Sequence, residues 1–417
     1  MTEPRKKMLS RGLGIAAAAA VAALVVTGAV VAANGSTVSG TAKAGETDVR
    51  KLDVGKYPTD PLDMRYTYFN SLSYGRQLAA MRLAGHVVTG PEIDPRFKYG
   101  NGVRAVLDAD DATKILADVN APVLERNKMQ FGYIVGHSEA AVEKSGKPPA
   151  SSALTKVFVM QFPDEAAAKQ AAAEIDDTDF SVAADANQHV TLPNYADAHS
   201  HWRPTVPTIG STMAHGSYVI QVFAGVKDPD LDQLTGLVEK VYKAQVPLLD
   251  SLKPLSPEDM LRLPYDPDGM MRRTLNPDGF GMPDNSTQAV FELRGFLHQT
   301  KDQEYWTRLT NETGVDRFSF SSAMSSAAML FRTRDTPSAL KLASVVLDKQ
   351  YPGVADAPPG IPDAKCGESL IKNDYSTKRF RCAVTYRQYV ATVEGDQLAD
   401  AQQRASAQYA LLANSTW

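Results

Sequence analysis

The chain has 417 residues, 43% of them hydrophobic and 22% charged, with a formal net charge of −4, which is a globular balance and length enough for two domains with real cores. No block of Lys and Arg lies beyond the N-terminus, so the clustered basic surface that nucleic acid needs is missing and nucleic acid is excluded as a partner. The only cysteines are Cys366 and Cys382, with no C-x-x-C spacing and no second pair for a metal or redox centre.

The first element is residues 13–33, an uncharged run preceded by Arg5, Lys6, Lys7 and Arg11. As a helix rising 1.5 Å per residue it is about 31 Å long, close to the thickness of a bilayer core. It reads either as one hydrophobic spanning helix or as a signal peptide, with Val31, Ala32 and Ala33 supplying the small residues of a processing site. Both readings export everything after residue 33, and an uncleaved helix makes the membrane itself a partner. The exported part carries −7, because residues 1–33 hold a local +3.

Residues 34–60, rich in Gly, Ser, Thr and Ala, read as a flexible tether with a reach of about 30 Å. A first domain, residues 61–253, opens with Leu72, Leu78, Met81 and Leu83 at helical spacing and Gly85 as the stop. Residues 102–107 read as a strand, and Asp110 as the cap of a helix over 111–120. Residues 129–135 and 154–162 predict paired strands joined by a polar loop, 136–152. A helix follows Pro163 and Asp164 as far as Ile175, then an irregular stretch, 176–210. Tyr218 to Ala224 alternates as a strand behind a His215-Gly216 turn, and Leu231, Leu234, Val238 and Val241 mark one face of a long helix. Residues 254–285, punctuated by Pro and Gly, read as a linker. The second domain, 286–417, repeats the order: a helix over 301–312, strands over 317–322 and 327–332, and a helix capped by Asp335 with Pro337 in its first turn.

The halves also correspond residue by residue. PDEAAAKQAAAEID from Pro163 matches RDTPSALKLASVVLD from Arg334, and AQVPLL from Ala244 matches AQYALL from Ala407, while Tyr386, Arg387, Gln388 and Tyr389 make the final turn of the second copy. The expected fold class is therefore α+β: two related domains from an internal duplication, antiparallel sheets packed against helices, preceded by one N-terminal hydrophobic helix. Exported cysteines with fifteen residues between them invite a disulfide, worth about 3 kcal/mol by chain entropy.

PDAKC at Pro362 to Cys366, then Cys382 followed by VTYRQYVATVEGDQLADAQQRASAQYALLA, with RLAGHVVTGPEIDP from Arg82 and DPDGMMRRTLNPD from Asp266, resemble an actinobacterial family of envelope lipoproteins of unknown function, like those of Nocardia and Mycobacterium. The resemblance implies an envelope location and a repeated α+β fold, and it brings no catalytic residues. This chain departs from it in lacking a Cys at the end of the N-terminal run, which favours the spanning helix over a lipid anchor.

Four stretches carry candidate chemistry. Gly136-His137-Ser138-Glu139-Ala140 has the form of a nucleophile elbow, which would make Ser138 a hydrolase serine with His215 or His201 as its base. Asp197, His199 and His201 form D-x-H-x-H, but Pro193, Pro204 and Pro207 argue for a polar loop, and solvated histidines outweigh a metal site. Ser338 and Lys341 match S-x-x-K, yet Lys144-Ser145-Gly146 lies on the wrong side of it, so an ordinary helix start is expected. Asp266 to Gly269 lacks calcium ligands and reads as a turn.

No constellation is complete, so no cofactor and no metal is implied. The expected function is non-catalytic binding or scaffolding of an envelope ligand or protein, with a serine hydrolase using Ser138 as the alternative. A ligand site is expected on the first-copy loops 136–152 and 176–210, where the copies differ most: His137, Ser138, His199, His201 and His215, with Trp202 as an apolar anchor.

Overall fold

The computed structural model describes residues 47–63, 68–143, 145–277, 282–323, 326–371 and 377–415. They form two α+β domains, each an antiparallel sheet packed against helices. The first sheet has seven strands: β1 (Tyr99–Val106), β2 (Phe131–Ser138), β3 (Leu154–Gln161), β4 (Gln188–His189), β5 (His199–Trp202), β6 (Thr208–His215) and β7 (Tyr218–Gly225). The second has β8 (Gln288–Glu292), β9 (Arg317–Ala323), β10 (Ser326–Arg332), β11 (Gly353–Ala355), β12 (Lys365–Glu368), β13 (Phe380–Tyr386) and β14 (Tyr389–Gly395). Across the first sheet the order is β1-β2-β3-β7-β6-β5-β4, and across the second β8-β9-β10-β14-β13-β12-β11, so the two sheets are strung identically.

Local chemistry sets the matching elements. In the first domain Asp164 caps α2 (Glu165–Ser181) by accepting from the Ala167 amide at 2.8 Å, and in the second Asp335 caps α6 (Thr336–Val345) by accepting from Ser338 at the same distance. Two-residue turns join β6 to β7 and β13 to β14, with His215 facing Tyr218 and Tyr386 facing Tyr389. Gly216 takes φ +54° in the first, which glycine does without steric cost, while Arg387 takes φ 53° in the second. Between these elements lie α1 (Leu72–Ala84), α3 (Leu231–Asp250), α4 (Leu293–His298) and α5 (Gln303–Thr313), and α7 (Leu398–Asn414) closes the fold.

Each sheet carries helices on both faces, which is why central strands such as β3, with VFVM, run apolar without alternation. Val157 and Val159 turn to the α3 side, where Leu234, Val238 and Val241 meet them. Phe158 and Met160 turn to the α2 side, against Ala168, Ala171 and Ile175. In the second domain Leu330 and Ala391 meet Ala401 and Ala405 of α7, and Phe331 and Val390 meet Leu342 and Ala343 of α6. The α3-side core continues into the second domain through Phe291, Phe296 and Phe318, with α1 packed between the sheets. Polar fasteners cross the same boundary: Gly90 N donates to Gln303 Oε1 at 3.0 Å and Gly100 N to Lys301 O at 3.1 Å.

Three expectations about the chain ends and the joint are revised. The run at 13–33 lies outside the described residues, and among those described no helix is long and apolar enough to cross a membrane; the expected transmembrane helix is not borne out. Of the tether, residues 47–60 are packed: Val49, Leu52, Val54 and Tyr57 are buried in the second-domain core. The Tyr57 hydroxyl bonds the Asp400 carboxylate, the Arg404 guanidinium sits 4.5 Å over its ring, and Asn414 Nδ2 donates to Thr59 O at 2.9 Å. Four apolar residues scattered in a polar stretch show no periodicity, yet each buried one is worth roughly 1.5–3 kcal/mol. The linker packs likewise, with Leu255 and Met260 in the first core and Met270, Met271 and Leu275 in the second.

Candidate functional site

Register across four strands of the first sheet builds one row on the α2 side. Lys156 of β3 faces Phe223 of β7, Phe223 faces Gly210 of β6, and Gly210 faces His201 of β5. Gly210 contributes no side chain, so the row sags there into a hollow of about 570 Å³, walled by Asp179 and Val182 at the end of α2 and by Arg203 and Val206. A Cβ on Gly210 would meet only the His201 ring, at 3.4 Å.

The polar groups around the hollow have distinct states. His201 Nδ1 lies 2.7 Å from Asp176 Oδ1, and because that carboxylate accepts, Nδ1 carries the proton and Nε2 is left toward Gly210. Phe180 meets the His201 ring edge-on and stacks on His189 with centroids 4.0 Å apart. Burial raises the pKa of Asp179, which accepts from Asn120 Nδ2 at 2.7 Å. Lys156 and Arg203 are exposed, and neither has an ion-pair partner among the described residues. Phe223 is 43% exposed between them and His201.

The second domain fills the same place. Five residues out from each hairpin turn, where the first domain has Gly210 and Phe223, the second has Arg381 and Glu394, directly opposed and ion-paired with side chains 11% and 9% exposed. The Arg381 guanidinium lies 4.3 Å over the Tyr351 ring, closing the row. One pair nearer the turn, Ser200 and Ser211 face each other with Oγ atoms 2.7 Å apart, and their counterparts are Cys366 and Cys382, whose sulphurs are bonded.

The candidates from sequence scatter over the first domain. His137 and Ser138 close β2 rather than forming a loop, because strand pairing with Thr155 and Leu154 extends past the β-branched run. Both are fully buried: His137 Nε2 donates to Val88 O at 3.2 Å and Ser138 Oγ to Ala140 O at 2.8 Å. His215 pairs with Asp250 at 2.6 Å and lies in register with Phe131, seven residues from Ser138, or roughly 23 Å along the strands. His201 is in register with Gly136 but four strands away, roughly 19 Å. Among the described residues no catalytic triad forms around Ser138.

His199–Trp202 is a strand, not the expected loop, since Pro193, Pro204 and Pro207 flank it without interrupting it. Asp197 lies outside the strand, Asp197 and His199 are exposed, and no group of three or more His, Cys, Asp or Glu able to hold a metal occurs among the described residues. Trp202 follows His201 on the strand and packs against the α3-side core, and it also contributes to the lining of the hollow. Ser338 sits in the capped first turn of α6, and Lys341 pairs with Glu312 at 2.8 Å. Asp266 accepts from the Met271 and Arg272 amides in a turn. Lys156, Phe223 and Gly210, which shape the hollow, carry no motif; the comparison of duplicated hairpins is the one signal that singles out two of them.

A family pattern described as domain of unknown function (DUF7373) N-terminal matches residues 66–265, and its C-terminal partner matches residues 270–415. The chain belongs to the DUF7373 family. The two DUF7373 parts meet inside the Pro- and Gly-rich stretch, and the match gives this family, not specifically a lipoprotein family. Among curated proteins no sequence matches. Among solved structures the extracellular domain of PknH from Mycobacterium tuberculosis is similar at 12% identity, over 41% of this chain and 97% of that one, with a TM-score of 0.29.

Proposed function

We propose that this chain is an exported, non-catalytic binding protein of the cell envelope whose first domain holds an acidic glycan in the hollow over Gly210. The observation that carries the reading is the contrast between equivalent rows: in the second domain Arg381 and Glu394 neutralise each other under Tyr351, whereas in the first Lys156 and Arg203 stand unpaired beside an exposed Phe223. An acid group fits between the two cations, a sugar ring lies on Phe223, and hydroxyls meet Asp179 and Gln221 on the wall. Export is supported by the basic-flanked apolar run in the sequence and by the cysteine pair, since disulfides persist outside reducing compartments.

The two domains descend, in this reading, from one duplicated unit, supported by identical strand order and by the coincidence of Ser200 and Ser211 with Cys366 and Cys382. Ser200→Cys with Ser211→Cys should then form a second bridge on oxidation, and a pair that stays reduced counts against the equivalence.

Calorimetry with oligogalacturonate and its neutral methyl ester tests the ligand class. The acid form should bind, Lys156→Ala and Phe223→Ala should each weaken it several-fold, and Gly210→Arg, which imitates the second domain, should abolish it. Equal binding of the ester, or binding untouched by Gly210→Arg, overturns the reading.

A further inference from the structure

His201 stands where the hollow meets α2, and its two ring nitrogens look different ways. Nδ1 donates to Asp176 Oδ1 at 2.7 Å, with side chains 15% and 4% exposed, so the tautomer and the ring orientation are both set from behind. Nε2 lies 3.6 Å from where a Cβ on Gly210 would stand, a place the hollow occupies. No hydrogen-bond partner reaches it among the described residues. In this tautomer Nε2 turns a lone pair, an acceptor, toward the space where an acid group would sit. One proton makes the same atom a charged donor without moving it, because Asp176 holds the ring by its other nitrogen.

The surroundings make that proton count. Asp176 and Asp179 face His201 from α2, His189 is its register partner on β4, and Arg203 follows at the end of β5. Lys156 lies along the row beyond Gly210 and Phe223. His189 is stacked flat on Phe180 and does not line the hollow. While the His201 ring is neutral, Lys156 and Arg203 are offset by the Asp179 and Asp176 carboxylates, leaving no excess of positive charge for an anion. Once the ring is charged, Asp176 is neutralised from within and the cations of the rim are in excess. Burial raises the pKa of Asp179, so acid acts on that wall in the same direction.

We infer that His201 is the proton-dependent third cation of the hollow, so that the acidic glycan is gripped more tightly as pH falls from 7.5 to 5.5 and is let go as pH rises. This rests on the acidic-glycan reading and adds to it the regulation of the same site. The coupling is reciprocal, so the bound glycan favours the proton as much as the proton favours the glycan.

The test is calorimetric titration of the full chain with oligogalacturonate at pH 7.5, 6.5 and 5.5 at fixed ionic strength, a window in which the uronate stays ionised. Affinity should rise about fivefold from the highest pH to the lowest, as for an ordinary imidazole whose titration a bound anion moves up by about one unit. Binding at pH 7 should take up about half a proton, read from heats in buffers of different ionisation enthalpy. His201→Gln should hold its pH 7.5 affinity within about threefold and lose the rise, because an amide cannot charge, while His189→Gln should keep the rise. In the wild type, the His201 Cε1–H resonance should titrate across the window with a midpoint that climbs on saturation with oligogalacturonate, a readout that needs no variant. No binding at any of the three pH values refutes the ligand class and the coupling together. Equal binding at all three, a rise that survives in folded His201→Gln, or a resonance midpoint that the ligand leaves in place overturns the coupling alone.

Discussion

Acid should weaken this protein through two histidines at the joint between its domains. His137 of β2 and His298 of α4 donate from Nε2 to the consecutive carbonyls of Val88 and Val87, at 3.2 and 3.1 Å, with ring centroids 5.9 Å apart. A carbonyl can only accept, so Nε2 holds the proton and the partnerless Nδ1 atoms are the ones acid would charge. Burial, and for His137 also the neighbouring His298, lowers its pKa to about 3, and burial lowers that of His298 to about 4. The closest charges, Glu92 and Arg294, pair with each other at 3.0 Å and offer no counter-ion. Because these values lie below the 6.5 of an exposed imidazole, the unfolded chain takes up protons first as pH falls. Their contribution is complete above pH 6.5 and drains away as pH drops toward 4 and 3. From pH 7 to pH 5 the loss is about 2 kcal/mol for each ring and roughly 4 for both, a large share of a typical stability of ~5–15 kcal/mol. His86 is shifted the same way by burial and adds to the slope. Urea denaturation at pH 7, 6 and 5 reads this in a window above the ordinary carboxylate range. A stability flat over that window refutes the reasoning, as does an unchanged slope in His137→Gln with His298→Gln.

The strap at residues 47–60 should be integral to the second domain: Tyr57→Ala removes a side chain 6% exposed along with its bond to Asp400 and should cost about 3–5 kcal/mol by denaturant titration, and a loss under 1 kcal/mol would show the strap to be dispensable. Reducing the Cys366–Cys382 bridge should lower stability by about 3 kcal/mol, and two free thiols in non-reducing peptide maps of envelope-derived protein would contradict the bond.

What the sequence determined by itself is local. Asp164 and Asp335 each announce a helix because a cap acts within three residues, and the two-residue turns at Gly216 and Arg387 fix the hairpins. The likeness of the halves, legible in AQVPLL and AQYALL, lies in helices α3 and α7, which close the two domains. The sequence misplaced His137 and Ser138 because strand pairing, not propensity, carries β2 to its last residue, and it missed the strap because Val49, Leu52, Val54 and Tyr57 find their partners more than 200 residues away in the chain. The hollow was beyond it for the same reason. Lys156, Gly210 and Phe223 become neighbours only when β3, β7 and β6 settle into register, and a slip of one residue would turn Phe223 to the opposite face. Pairing registers between distant strands are chosen by the whole core at once, so only the tertiary structure decides that one domain's row is open and the other's is closed by Arg381 and Glu394.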